Sequence, residues 1–438
     1  MVLRQELLKS TPVPEVSQGR KPVKVLWLQV CALAGVQASI GVAWVIYNLY
    51  LANLLQGFGF APGAATMVVL LANLLAAVVE PIAGGLADLS QRWLGSRFPV
   101  IAVGVVLSSA LFVLIPLLWL LGSWGQEVTW LRPGLPLILV LWALAMSLFR
   151  GPVLSLLGNY ALNRRLPQAA SFLTLTEGFA RGWGFVASGW ILGLGPVFAF
   201  GIGSTILLIG AIVLLLSDPD VQVERNPRPS PPSPLILPKP TDPQVPDPKA
   251  QNPLTLSKLG WLLGAGMGAT LGFRLLFMGF SQALQRLSLA GTQSSLILGI
   301  LFLSMSLVAL PLGNLQVRLG HQRGLLLGLT LMAGLGTIVP WISSPGLAVL
   351  MAILLGLTLG MISNSAVPFA LTLVPLEWAS LGTTIYFSGG SIAAALLAGT
   401  LASLQAFHPA IATLLGSGGC LLAGFFVASA MPLRQPKK

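Results

Sequence analysis

Five ionisable residues stand inside long apolar runs: Glu80, Arg150, Glu177, Arg181 and Arg274. A charge at bilayer depth costs about 2.5–3.5 kcal/mol on insertion scales, so such residues normally face a water-filled cavity or a partner. Glu177 and Arg181 are four apart, which places both on one face of a helix where they can pair. Simple mutual neutralisation is then as good a reading as a role in a site. Glu80 can pair across a cavity with Arg150 or Arg274. Three bases stand against two acids, so one arginine is left over for an anionic group on a ligand. Arg274, flanked by "LGF" and "LLFMGF", reads as deeper than Arg150. A buried carboxyl is also a proton carrier: burial favours its neutral form and a nearby guanidinium its ionised form. Helix movements that exchange those surroundings around Glu80 would couple proton binding to conformation.

Softer candidates surround these charges. Gln37, Asn48, Asn53, Asn73, Asn159 and Asn364 can line a cavity, although amides in such runs more often bond one helix to another. Trp44, Tyr47 and Tyr386 can stack on a sugar or an aromatic ring, while most of the 12 tryptophans read as anchors at the membrane interface. "GAGMGATLG", Gly264 to Gly272, imitates a dinucleotide loop, but no strand precedes it, and close helix packing explains it better. There is no Walker loop, HExxH, CxxC pair or GxSxG in the chain. His321 and His408 lie in or near loops. Cys31 and Cys420 lie near opposite ends, in apolar surroundings that suit small buried side chains. No enzyme site, metal site or cofactor is expected, beyond a proton or monovalent cation moving with a solute.

The elements that must position these residues are set by the solvent. Of 438 residues, 55% are hydrophobic and 8% charged, whereas soluble proteins carry about 25% charged residues. That surface belongs in lipid. Twelve runs are long enough to cross it: 25–51, 62–87, 99–121, 135–159, 168–191, 195–216, 256–280, 290–312, 323–344, 347–371, 377–403 and 410–430. Between the sixth and seventh, Ser217 to Pro253 holds 12 of the 32 prolines. Proline in this density favours extended, solvated chain. The expected organisation is an N-terminal tail 1–24, a six-helix half 25–216, a linker 217–255, a second half 256–430 and a tail 431–438.

The formal charge of +12 does not point to nucleic acid, because the basic residues gather in short segments between the runs. With twelve spans both termini share a side. That side holds 19 of the 24 lysines and arginines, the other only Arg132 and Arg286. The asymmetry places termini and linker in the cytoplasm, with the bases near anionic lipid headgroups. The N-terminal segment lacks the apolar core of a cleavable leader. A monomer in a bilayer, with a small-molecule substrate, is the expected assembly.

Two six-helix halves joined by a cytoplasmic linker resemble the major facilitator superfamily. "GGLADLSQRWLGSRFP" resembles that superfamily's signature loop, with Gly84, Asp88, Arg92, Gly95, Arg97 and Pro99 in the expected roles. "PLGNLQVRLGHQRG" resembles a second copy, with Gly313, Arg318, Gly320 and Arg323 matching and Val317 in place of the aspartate. The resemblance implies a conformational gate formed by these loops. The spacing from Asp88 to Pro99 is similar to that of glycoside–cation symporters and plant sucrose transporters. So are "EPIAGGLAD", "RGPVLSLLGNYALNRR" with Gly151, Pro152, Ser155 and Leu156, and "ASFLTLTEGFARGWGFVASG". These matches cover residues 78–190.

The resemblance gives Glu80 the position of a cation-site acid. It departs where Ala76 replaces a second acid, Arg150 an acid of the fourth helix, and Asn159 approximately the sucrose transporters' aspartate. It implies an all-α, twelve-helix membrane protein moving a small polar solute, a sugar or glycoside, by alternating access. Glu80 would serve coupling, with Arg150, Glu177, Arg181, Arg274, Asn48, Asn159, Asn364 and Tyr386 around the substrate. The surplus arginine keeps open an organic-anion or amphipathic cargo. A non-transporting chaperone or scaffold on the same fold also stays open.

Overall fold

The structure is a computed structural model that describes residues 25–124, 133–161, 164–217, 254–405 and 408–430. The predicted tails, Arg132 and nearly all of the proline-rich linker lie outside the described residues. The remainder is helical. In the first half run α1 (Trp27–Gly57), α2 (Ala64–Leu94), α3 (Phe98–Trp124), α4 (Gly134–Ser155), α5 (Leu166–Val186) and α6 (Gly195–Ser217). In the second run α7 (Leu256–Arg286), α8 (Gly291–Leu319), α9 (His321–Ile338), α10 (Pro345–Leu373), α11 (Ala379–Gln405) and α12 (Pro409–Ala430). Short helical turns Leu157–Tyr160 and Ser188–Gly193 continue α4 and α5.

A chain in hydrocarbon must satisfy its backbone internally, and a helix does so within one segment. Proline is tolerated there because neighbouring helices and hydroxyls take over the freed backbone groups. Pro81, Pro116, Pro152, Pro311 and Pro368 all lie inside helices. Beside Pro152, the Ser155 hydroxyl donates to the Pro152 carbonyl, at 2.7 Å, just before α4 breaks at Leu156.

Among the described residues, 11 helices are long and apolar enough to cross a membrane. α5 falls short, and its packing says why. It lies against α1, α8 and α10, and although Phe179 and Trp183 are exposed on its outer side, the face with Glu177 and Arg181 is turned from lipid. Two apolar cores result. One joins α1 to α6, with Val367, Leu371 and Ala379 reaching in from the second half. The other joins α7 to α12. The halves meet along two seams, α2 on α11 and α5 on α8.

One expectation needs correcting. The sequence ends the second run at 87 and places the signature loop beyond it, but α2 continues to Leu94. Asp88 and Arg92 therefore stand on the helix. Only Gly95, Ser96 and Arg97 turn the chain, with Gly95 at φ +74°. Glycine reaches that left-handed conformation without a Cβ penalty.

Candidate functional site

Between the halves lies a cavity of about 780 Å³, walled by helices of both. Its wall includes Glu80, Arg150, Glu177, Arg181 and Arg274, so all five intramembrane charges meet here. Helix periodicity alone could not show this, since the five sit on four helices.

Glu80 lies on α2 where it crosses α11, and it is 5% exposed. The Ser391 hydroxyl, from the other half, donates to both carboxylate oxygens at 3.2 and 3.1 Å. One turn back, Ser388 donates to the Ala77 carbonyl at 2.5 Å. Ser147 of α4 also bonds to Glu80. Arg150 acts on Glu80 and Glu177 through space but forms no ion pair among the described residues. Its guanidinium lies over the Phe387 ring, 4.5 Å from the centroid, an electrostatic attraction that strengthens where water is excluded. Its Nε is buried without a partner.

Glu177 and Arg181 form the i, i+4 pair expected, at 2.6 Å. Gln37 of α1 donates to the second Glu177 oxygen at 3.1 Å. Arg274 differs from the rest: its side chain is exposed to the cavity, it forms no ion pair among the described residues, and the charges that act on it are Arg181 and Arg150, of its own sign. The ring therefore carries one positive charge in excess, and Arg274 is the group without a counter-ion.

The softer candidates divide. Asn48, Asn73, Gln37, Trp44, Tyr47 and Tyr386 line the cavity. Asn48 spends a donor on the Trp44 carbonyl of its own helix, at 2.7 Å. Tyr47 is buried, stacked on Trp142, with its hydroxyl on the Leu139 carbonyl; it is a packing residue, not a free stacking surface. Asn159 and Asn364, expected around the substrate, do not line this cavity. Asn159 is exposed at the end of the Leu157–Tyr160 turn. Asn364 is fully buried, its amide donating to the Ala309 carbonyl of α8 at 2.9 Å. Asn53 is also off the wall.

Ser147, Phe387 and Ser391 were not singled out in the sequence. Ser391 sits in a run of small residues, "SGGSIAAA", which signals close packing but not which helix it packs on.

At the end where α2 stops and α11 starts, the halves are fastened. Asp88 is fully buried and accepts the backbone N–H groups of Ser380 and Leu381 at 3.1 and 2.8 Å. It thus caps the first turn of α11 from another helix, where unpaired N–H groups and the helix dipole favour an anion. Arg97, also buried, donates through Nε to Asp88 at 3.2 Å and through its terminal nitrogen to the Leu376 carbonyl at 3.1 Å. Ser155 and Ser380 share a 2.8 Å hydrogen bond, and Thr383 donates to the Gly151 carbonyl at 3.2 Å. Arg92 lies over the Trp378 ring at 3.9 Å and reaches Glu377 at 3.9 Å.

Arg318 and Arg323, of the second copy, are exposed and form no ion pair among the described residues. The cavity wall extends the other way, to Ser188 beyond α5 and Ser295 near the start of α8. Among the described residues no group of three or more His, Cys, Asp or Glu could hold a metal ion.

A family model described as Major Facilitator Superfamily matches residues 33–398. No curated protein sequence matches the chain. Among solved structures, a bacterial homologue of the iron transporter ferroportin, in an outward-facing state with soaked iron, superposes with a TM-score of 0.68 at 15% identity. That match covers 92% of this chain and 98% of the other. The human organic anion transporter MFSD10 superposes with a TM-score of 0.63 at 12% identity, over 92% of this chain and 99% of the other. At such identities the likeness is one of fold.

Proposed function

The chain belongs to the major facilitator superfamily, and from that membership we propose that it moves a small organic anion through the central cavity by alternating access. One observation carries the choice of cargo. The cavity gathers Arg150, Arg181 and Arg274 against Glu80 and Glu177, and Arg274 has no acid near it. A carboxylate, sulfonate or phosphate group would supply the missing charge, bonded by a fork of N–H donors suited to it. The same surplus opposes a metal cation as cargo. A sugar, the cargo implied by the resemblance over residues 78–190, has Gln37, Asn48 and Asn73 for hydroxyls but leaves Arg274 uncompensated.

The basic-residue asymmetry supports a cytoplasmic position for the fastened end. The cavity then faces outward, and the halves 25–216 and 256–430 would rock about it. Glu80 is the proposed coupling group. Its bonds to Ser391 cross the seam, so they exist only while α2 and α11 meet. When the seam parts, the carboxyl loses those donors and its preference for the ionised form changes. Proton binding and access would thereby be linked.

Uptake into proteoliposomes tests both parts. Counterflow of labelled organic anions is expected, with at least a tenfold loss in Arg274→Gln. Sugar counterflow without anion counterflow restores the glycoside reading. No flux across either panel points to the scaffold reading. Glu80→Gln is expected to lose uptake driven by a pH gradient and to retain exchange; driven uptake that survives in this variant removes Glu80 from coupling.

A further inference from the structure

The wall of the central cavity carries a second kind of surface beside its charges. Phe185, Phe273, Phe277 and Phe302 all stand on it. They come from α5, α7 and α8 and meet as a closed cluster. The Phe185 and Phe302 rings stack across the α5–α8 seam, with centroids 5.6 Å apart and planes 7° apart. Phe277 lies 6.1 Å from Phe185 and 5.9 Å from Phe302. Phe273 lies 5.8 Å from Phe277 and 6.3 Å from Phe302. All these separations fall in the range where aromatic rings attract through their quadrupoles. Phe302 is 4% exposed and forms the floor. The other three are half-buried, so they keep ring surface for the cavity.

Packing of the seam would account for four phenylalanines, but not for where they stand. Arg181 precedes Phe185 by four residues on α5, and Arg274 precedes Phe277 by three on α7. Each arginine therefore shares a helix face with a ring of the cluster, about 5 Å away along the axis. One helix separates α5 from α7 in an alternating bundle, so both run the same way and each ring lies on the same side of its arginine. On α5 that is the side toward Ser188, where the cavity wall continues. The Arg181 guanidinium also lies over the Phe302 ring, 5.8 Å from its centroid. Arginines and rings bound one open space, so no wall has to be crossed between them.

We propose that the anion taken by this cavity carries an aromatic ring, with its acidic group against Arg274 and Arg181 and its ring on the open faces of Phe185, Phe273 and Phe277. The proposal rests on the anion reading above and narrows it to aryl anions. Each of these rings is already packed against at least two others, so the wall is preorganised and little ordering is left for binding. A flexible aliphatic chain would be held there by burial alone and would lose rotamer freedom. A flat ring adds the quadrupole attraction and has no rotamers to lose.

The test uses the full chain in proteoliposomes. Matched acids compete against counterflow of a labelled short-chain carboxylate: benzoate against cyclohexanecarboxylate, and phenylacetate against cyclohexylacetate. The members of a pair share charge and carbon count, and only one has a π face, so burial alone gives the aryl acid no advantage. The aryl member should compete better by about three- to tenfold. Phe277→Leu keeps the wall apolar and should bring each pair within about twofold. Phe185→Leu is the replacement should that variant fail to fold. Light-activated 4-azidobenzoate should mark Phe185, Phe273 or Phe277, with less labelling in the presence of benzoate or in Arg274→Gln.

Equal competition within each pair, or an aryl preference that the leucine variant leaves unchanged, overturns the proposal while the anion reading stands. So does labelling that falls away from the cluster or that benzoate does not diminish. Failure of every carboxylate to compete or exchange in the wild type overturns the anion reading itself, and the aryl site with it.

Discussion

At the fastened end, α2 crosses α11 with Gly84 facing Thr384 and the Ser380 carbonyl, and α8 crosses α5 with Gly313 facing Ser171 and the Pro167 carbonyl. A Cβ at either glycine would collide with the helix opposite. These are the corresponding glycines of the two repeated segments, so the two crossings share one packing device. They differ one turn later. In the first copy Asp88 reaches into the other half and caps α11, with Arg97 behind it. In the second copy the buried polar side chain is Gln316, and it donates to the Met361 carbonyl of α10, within its own half. Val317, in the aspartate's place, has nothing to cap with. Both copies bring the helices together; only the first ties the halves. A tie on one seam can release as a unit, because three of its bonds converge on a single carboxylate.

The comparison breaks most directly at Asp88. Asp88→Asn removes the charge from the α11 N-terminus and leaves Arg97 buried without its acid. Removing one partner of a buried pair costs about 3–5 kcal/mol, and the retained amide oxygen puts this variant at the low end. That pair lies within the first half, so only the bonds from the Ser380 and Leu381 N–H groups bear on the closed-end state; losing one such bond to a charged acceptor is worth about 1.5–3 kcal/mol, a population shift of roughly ten- to a hundredfold. Distances between spin labels at the α2 and α11 tips read this out. A distribution unchanged from wild type would remove the tie from the mechanism. Next come the glycines. Gly84→Val and Gly313→Val should each overpack their crossing, costing about 1–3 kcal/mol, visible as lower thermal midpoints of similar size. A large loss at one and none at the other would mean that the crossings are not equivalent.

Gln316→Leu sharpens the contrast from the other side. It deletes one hydrogen bond inside the second half, worth about 1 kcal/mol, while the Met361 carbonyl keeps its backbone bond within α10. Thermal stability should fall slightly while the label distances stay unchanged. Movement of the α2 and α11 tips in this variant would show that the second copy also communicates with the gate.

How much of this was legible beforehand follows from the kind of interaction involved. The helices were legible because lipid admits few alternatives; α6 was expected at 195–216 and spans Gly195–Ser217. The five charges were legible because each is costly in hydrocarbon, and they do converge on one cavity. Residues that act through cross-half geometry were not. Ser391 and Phe387 are ordinary residues in a helix, and only the seam brings them to Glu80 and Arg150. Asn364 shows the converse: its amide marked it as a candidate, but the Ala309 carbonyl had already taken it.

The smallest expected effect is at Arg92. It belongs to the same signature segment as Asp88 and touches the same partner helix region, through Trp378 and Glu377. Its setting is different, since the Arg92 side chain is 37% exposed and that of Glu377 is 71% exposed. Exposed ion pairs contribute about 0–1 kcal/mol and weaken with salt, and a cation–π contact at an exposed site adds about 0.5–1 kcal/mol. Arg92→Ala should therefore shift the closed-end population by no more than about thirtyfold at low salt. Part of that shift should vanish at high salt, whereas the Asp88→Asn shift, arising at a fully buried group, should persist. Measuring both variants across an ionic-strength series separates the buried tie from the exposed one. If Arg92→Ala opened the end as far as Asp88→Asn, the exposed contacts would be the fastening, and the difference between the two copies would lie in their surface charges instead of in the capped helix.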